Sequence, residues 1–150
     1  MIATLIAVLG TLAGALVAGV MQHLTASRTT RAAQDERRRQ ALTEAVPALL
    51  AALVRHREQQ YLKIVARREE RADTVEARQA RYAARSAVTS AMDTLHMTTT
   101  SARLLAVAQE AVDAAMALGD VPTEELDAAG LRARQAHTAL REAGAALLYA

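Results

Sequence analysis

Residues 98–148 read TTTSARLLAVAQEAVDAAMALGDVPTEELDAAGLRARQAHTALREAGAALL, and two helical patterns within them decide the fold. The opening Thr98-Thr99-Thr100-Ser101 run resists helix because β-branched side chains lose rotamer freedom there, and Thr100 or Ser101 is a natural N-cap for the next helix. Leu104, Leu105, Val107, Ala108, Ala111, Val112, Ala115, Met116 and Leu118 then mark a helix predicted to end at Gly119, a common C-terminal residue. Thr123 is expected to cap a last helix, with Glu124 and Glu125 in its first turn, where negative charge suits the helix dipole. In that helix Leu126, Gly130, Ala133, His137, Leu140, Gly144 and Leu147 recur at alternating spacings of 4 and 3. Such a spacing is a heptad seam, coiled-coil-like in character, and its small residues predict close packing on the preceding helix. The short connection makes the pair an αα-hairpin.

Upstream, almost nothing between Gln22 and Met97 interrupts a helix. Leu42, Val46, Leu49, Leu53 and, after a gap, Ile64 keep one face, which Leu50, Val54, Tyr61 and Val65 widen. Pro47 removes a backbone donor and clashes with the turn before it, so a kink is expected there, or a helix start a few residues earlier with Thr43 as cap. Arg67 to Arg85 is highly charged, with Val75 and Tyr82 its only larger apolar residues, and reads as a solvated connector or coiled-coil flank. Asp73 and Glu76 fit a capping box. A turn near Ala72 would fold the second stretch back on the first; without it the middle is one long rod.

Ile2 to Met21, IATLIAVLGTLAGALVAGVM, carries no charge over twenty residues. At about 1.5 Å per residue that length spans roughly the 30 Å hydrocarbon core of a bilayer. A cleaved signal peptide would want a basic stretch ahead of it, and the apolar run continues past the cleavage-like Ala13-Gly14-Ala15, so an uncleaved anchor is expected. Arg28, Arg31, Arg37, Arg38 and Arg39 all lie after the segment, and positive charge stays inside. The predicted topology is a single pass through the cell membrane with the N-terminus outside and the body cytoplasmic. Gly10, Gly14 and Ala18 form a small-xxx-small stripe along which two such helices could touch. The five arginines are candidates for contact with anionic lipid or phosphate.

Composition agrees with an all-α chain and narrows what it can do. Hydrophobic residues make up 52% of the 150, yet Phe, Trp and Cys are absent. Alanine favours helix but buries little area, so a thin bundle that works with partners is expected. Without cysteine there is no disulfide framework and no thiolate metal site. Arg28 to Arg85 holds 14 basic and 8 acidic residues, while Ser86 to the end holds 4 and 8. The halves therefore pair with each other, or the basic half faces an anionic surface. His23, His56, His96 and His137 are scattered, and a zinc or di-iron site needs three or four convergent ligands. His137, on an apolar seam, is expected to be a core histidine bonded to a carbonyl. No nucleophile elbow, glycine-rich phosphate loop or strand is apparent. An enzyme is not expected, and no cofactor or small-molecule substrate is implied. The basic knots at Arg37–Arg39 and Arg67–Arg68 lack aromatic stacking partners and are interrupted by acids, so nucleic-acid binding would be weak.

Three stretches resemble small proteins of actinobacterial conjugative plasmids and integrative elements, including those of the KilB type. They are LIAVLGTLAGALVAGV (5–20), RTTRAAQDERRRQALTEAVPALLAALVRHREQQY (28–61) and ARSAVTSAMDTL (84–95). The resemblance covers about two thirds of the chain. It implies a role near intermycelial plasmid transfer or spreading, beside a membrane-bound DNA translocase, and carries over no functional residue. The resulting organisation has three parts: a transmembrane anchor at 1–24, a basic helical region at 25–97, and the hairpin at 98–150. Its function would be that of a membrane-held interaction or scaffold protein, whose partners are lipid and protein, the latter a second copy or the translocase. A DNA-binding accessory is the next alternative, and an exported spanin-like or envelope protein a third.

Overall fold

A computed structural model describes the backbone of residues 2–148 and the side chains of Gln22, Ala26 and 29–148. The described chain is all-helical. Helix α1 runs Ile2–Arg68, α2 Val75–Thr98, α3 Ala102–Ala117 and α4 Leu126–Leu148, with a 3-10 turn at Thr123–Glu125 before α4. Residues 39–150 form one compact unit. Among the described residues no helix is long and apolar enough to cross a membrane, and the side chains of the predicted anchor stretch at 2–21 lie outside those described.

Pro47 neither starts nor ends a helix, and α1 continues through it. Thr43 is not a cap either, since its hydroxyl donates to the carbonyl of Arg39 at 2.9 Å inside the helix. A proline in a helix interior costs about 3 kcal/mol. Here Ala45, Val46, Leu49, Ala52 and Leu53 are buried on both sides of it, and that continuous face offsets the lost bond.

The turn near Ala72 exists, closed by other residues than the predicted ones. At the end of α1 the Arg71 N–H donates to the Ala66 carbonyl and the Glu70 N–H to that of Arg67. That pairing is a Schellman motif, which needs a left-handed residue at its corner. Glu70 occupies it with φ 54°, although an L side chain is strained there. Thr74, and not Asp73, caps α2 by accepting from the Ala77 N–H at 3.2 Å. Asp73 is drawn instead to Arg81, whose guanidinium donates to both its carboxylate oxygens.

The Thr-Thr-Thr-Ser break falls where the sequence places it. Ser101 accepts from the Leu104 N–H and holds itself by donating its own N–H to the Thr99 hydroxyl. Gly119 stands directly after the Leu118 C-cap of α3, where the sequence places the end of the helix, though without a positive φ. A Cβ there would lie 2.8 Å from Gln60 Oε1, the far end of a flexible side chain. One other expectation is corrected. Thr123 does not cap α4, because the 3-10 turn that it begins has Pro122 before it and no side-chain cap.

α3 and α4 pack along each other, and α2 touches α3. The core draws on all four helices: Leu49 and Leu53 of α1, Val88 and Leu95 of α2, Leu104 of α3 and Leu140 of α4. Alanine fills the rest, notably Ala108, Ala111, Ala115 and Ala136. The predicted seam on α4 holds in its centre, where Ala133, Leu140 and Gly144 are buried. Elsewhere it drifts: Ala129 and Ala136 are buried in place of the half-buried Gly130 and His137, and Leu147 is exposed. An undistorted helix turns at 3.6 residues, so a strict heptad leaves the buried face.

Candidate interaction surfaces

Of the residues singled out for contact with lipid or phosphate, Arg31, Arg37, Arg38 and Arg39 are exposed on α1. Arg28, Gly10, Gly14 and Ala18 lie outside the residues whose side chains are described. Within the compact unit two concave surfaces gather residues that no local motif brings together.

The first is a polar cleft of about 590 Å³ where α1, the Arg67–Thr74 turn, α2 and the end of α3 meet. Lys63 donates to the Gly119 carbonyl at 3.1 Å, placing a cation against the C-terminal end of α3, where it suits the dipole. The Arg81–Asp73 pair spans its mouth, and that hydrogen-bonded ion pair holds the Asp73 carboxyl below its ordinary range. His56 lies at the inner wall, 2% exposed, with Nδ1 unpartnered and Nε2 3.4 Å from the Gln60 amide nitrogen.

The second is a groove of about 660 Å³ between α1 and α4. Val54, Tyr61, Ile64, Leu118 and Leu126 give it apolar surface. Val54 and Tyr61 are 48% and 66% exposed, unusual for large apolar side chains one above the other on a helix. Arg57, Arg68 and Arg134 stand along its edges, with Glu58 and Asp127 also present. Among the described residues none of these five forms an ion pair. Burial, and then the nearby Arg134, lowers the Arg57 guanidinium below its ordinary value. On α4, Arg134 is followed at helical spacing by His137 and Arg141. His137 does not have the expected carbonyl partner at Nδ1, which is buried and unpaired.

These two histidines set a pH dependence. Burial first, then Arg85, lowers His56; burial first, then Arg57 and Arg141, lowers His137. Both bind a proton more weakly when folded than when unfolded, where the ordinary value is 6.5. The unfolded chain therefore takes up protons first, and stability present above that value is lost as pH falls below it. The thermal midpoint of a fragment comprising residues 39–150 should drop between pH 7 and about 5, and His56→Gln should flatten that slope. A midpoint independent of pH over this window would mean that neither histidine is held neutral by the fold. Sequence alone could not single out His56, since its isolation comes from residues at 60 and 85 on two helices.

The fold and these surfaces define an all-α bundle closed by a helical hairpin, with its concave surfaces at helix junctions. Residues 43–148 match the family described as KilB plasmid transfer protein, and the chain belongs to that family. The protein KilB of Streptomyces lividans is 44% identical, over 63% of this chain. The match spans 63% of that relative's own length. No solved structure matches. The matched residues include the hairpin, which played no part in the resemblance, and leave out the apolar stretch at 5–20 that did.

Proposed function

We propose that this chain is a membrane-held helical scaffold that serves plasmid transfer or spreading by binding other proteins, without catalysis. The observation that carries the reading is the family match over 43–148, which falls on the helical body. Anchorage rests on the uncharged stretch at 2–21, and orientation on the arginines after it. Gly10, Gly14 and Ala18 would let two anchors touch, and Arg28 with Arg31 and Arg37–Arg39 would meet anionic headgroups. The partner is a second copy or a membrane-bound DNA translocase.

Reporter fusions test the topology. A reporter active only in the cytoplasm, fused after Ala150, should be active, and one active only outside should stay silent. The reverse pattern would assign the body to the exterior and favour an exported envelope protein.

The DNA-binding alternative rests on the exposed Arg31 and Arg37–Arg39. Side chains that neutralise phosphates release counterions, so affinity for duplex DNA should collapse as salt rises. A fragment starting at Gln22 should bind duplex DNA only weakly and lose it with added salt, whereas the full chain should hold anionic vesicles. Tight DNA binding at physiological salt would overturn the preference for a protein-binding role.

A further inference from the structure

We propose that the α1–α4 groove docks an amphipathic helix of a partner protein whose apolar stripe is edged with acidic residues. The inference rests on the reading of the body as a protein-binding scaffold and names the chemistry of one partner. Val54 and Tyr61, seven residues apart on α1, present apolar surface two turns long, with Ile64 and Leu126 beside them. An apolar stripe of that length takes the side chains of an inserted helix at spacings of 3, 4 and 7. The edges supply the sign. Arg57, Arg68 and Arg134 outnumber Glu58 and Asp127, and Arg57 and Arg134 face each other with no carboxylate paired to either. A Glu or Asp entering between those guanidiniums would relieve like-charge repulsion and gain charge-assisted hydrogen bonds. Burial first, and then repulsion from Arg134, makes the Arg57 proton easier to lose.

The same charges disfavour two other occupants. Among the described residues, the other helical face that exposes large apolar residues at helical spacing is Val75 with Tyr82 on α2. Arg78 and Arg85 accompany it, so a second copy would bring cations to a cationic edge. An anionic bilayer matches the sign, but its surface is flat on this scale, and the groove's apolar surface lies in a furrow between two helices.

The test uses the full chain in mild non-ionic detergent and two designed helical peptides of the same leucine stripe. One is flanked by Glu, the other by Lys. The Glu peptide should bind with at least about tenfold higher affinity than the Lys peptide. Val54→Asp should weaken the Glu peptide by a similar factor, and Arg57→Glu with Arg134→Glu should reverse the preference. Because charge reversal could perturb folding, Arg57→Gln with Arg134→Gln serves as the milder pair and should abolish the preference, with an unchanged helical melt. Equal binding of the two peptides overturns the proposal, as does absence of binding. Peptide-free self-assembly that Val54→Asp abolishes assigns the groove to a second copy and overturns it too. Vesicle binding that depends on Val54 assigns the groove to lipid and overturns it likewise. The topology fusions read none of these peptides, so a failed topology and a failed groove are told apart.

Discussion

Leu140→Ala should unfold a fragment of residues 39–150 at a clearly lower temperature, with a loss of about 2–5 kcal/mol. Leu140 is fully buried and shares its core with Leu49, Leu53, Val88, Leu95 and Leu104 from the other three helices. Cutting its isobutyl group back to a methyl forfeits the transfer energy of the lost carbons and leaves a void that four helices would have to close together. Six of the fourteen residues of that core are alanine, and alanine cannot swing a longer side chain into the gap. A loss toward the upper end of the range is therefore expected. Arg141, the next residue, is exposed, and Arg141→Ala should leave the midpoint within error. Equal melting of the two variants and the parent, in thermal denaturation followed by circular dichroism, would show that α4 does not bury this face.

The hairpin was the most legible part of the chain because its signals are local. Ser101 is a cap by its own chemistry, and alternating apolar spacing on α3 and α4 registers which face turns inward. Leu140 and Gly144 could both be placed in the core on that ground. The turn after α1 was harder, since the left-handed corner is held by Glu70, a residue that carries no signal for such a conformation. Hydrogen bonds from Glu70 and Arg71 stabilise it regardless of side chain, so sequence could point to the neighbourhood of Ala72 and not to the mechanism. Pro47 left two readings, a kink or a helix start, and the unbroken α1 removes the second. The proline's local cost is real, but the buried face on either side outweighs it, and that balance is set by helices far along the chain.

The candidate surfaces divide in the same way. Arg31 and Arg37–Arg39 were legible as a charge run, and exposure is what a charge run implies. Neither the cleft around His56 nor the α1–α4 groove has a sequence signature. Tyr61 and Val54 looked like a widening of the apolar face, as on any amphipathic helix. Only the position of α4 shows that they border the bundle without being covered by it. The unpaired Arg57 and Arg134 lie 77 residues apart, a separation across which no motif could have joined them.

Gly144→Leu should be at least as damaging as the loss of Leu140, by an opposite route. Gly144 is buried on α4 against Val46 of α1, where a Cβ would come 2.6 Å from the Val46 Cγ1. Real carbon contacts do not occur at that distance, so even alanine forces a shift. Val46 cannot simply rotate away: it is 4% exposed and β-branched, and in a helix such a side chain has one strongly preferred rotamer. The strain must pass to the backbones, pushing α4 off α1 next to Pro47, where α1 already lacks one backbone donor. Overpacking costs typically about 1–3 kcal/mol where neighbours can adjust, and more where they cannot. Here the neighbours cannot, so Gly144→Leu should leave the fragment largely unfolded at about 37 °C, where the parent is folded. A compensating change sharpens the reading. Val46→Ala removes the methyl groups nearest the new side chain, so in the double variant it should restore part of the lost midpoint, although alone it destabilises through a cavity. Such a sign change is the signature of direct contact, because distant substitutions add independently. If Val46→Ala instead lowers the midpoint by the same amount in both backgrounds, Gly144 and Val46 are not packed against each other, and α4 sits on α1 in another register.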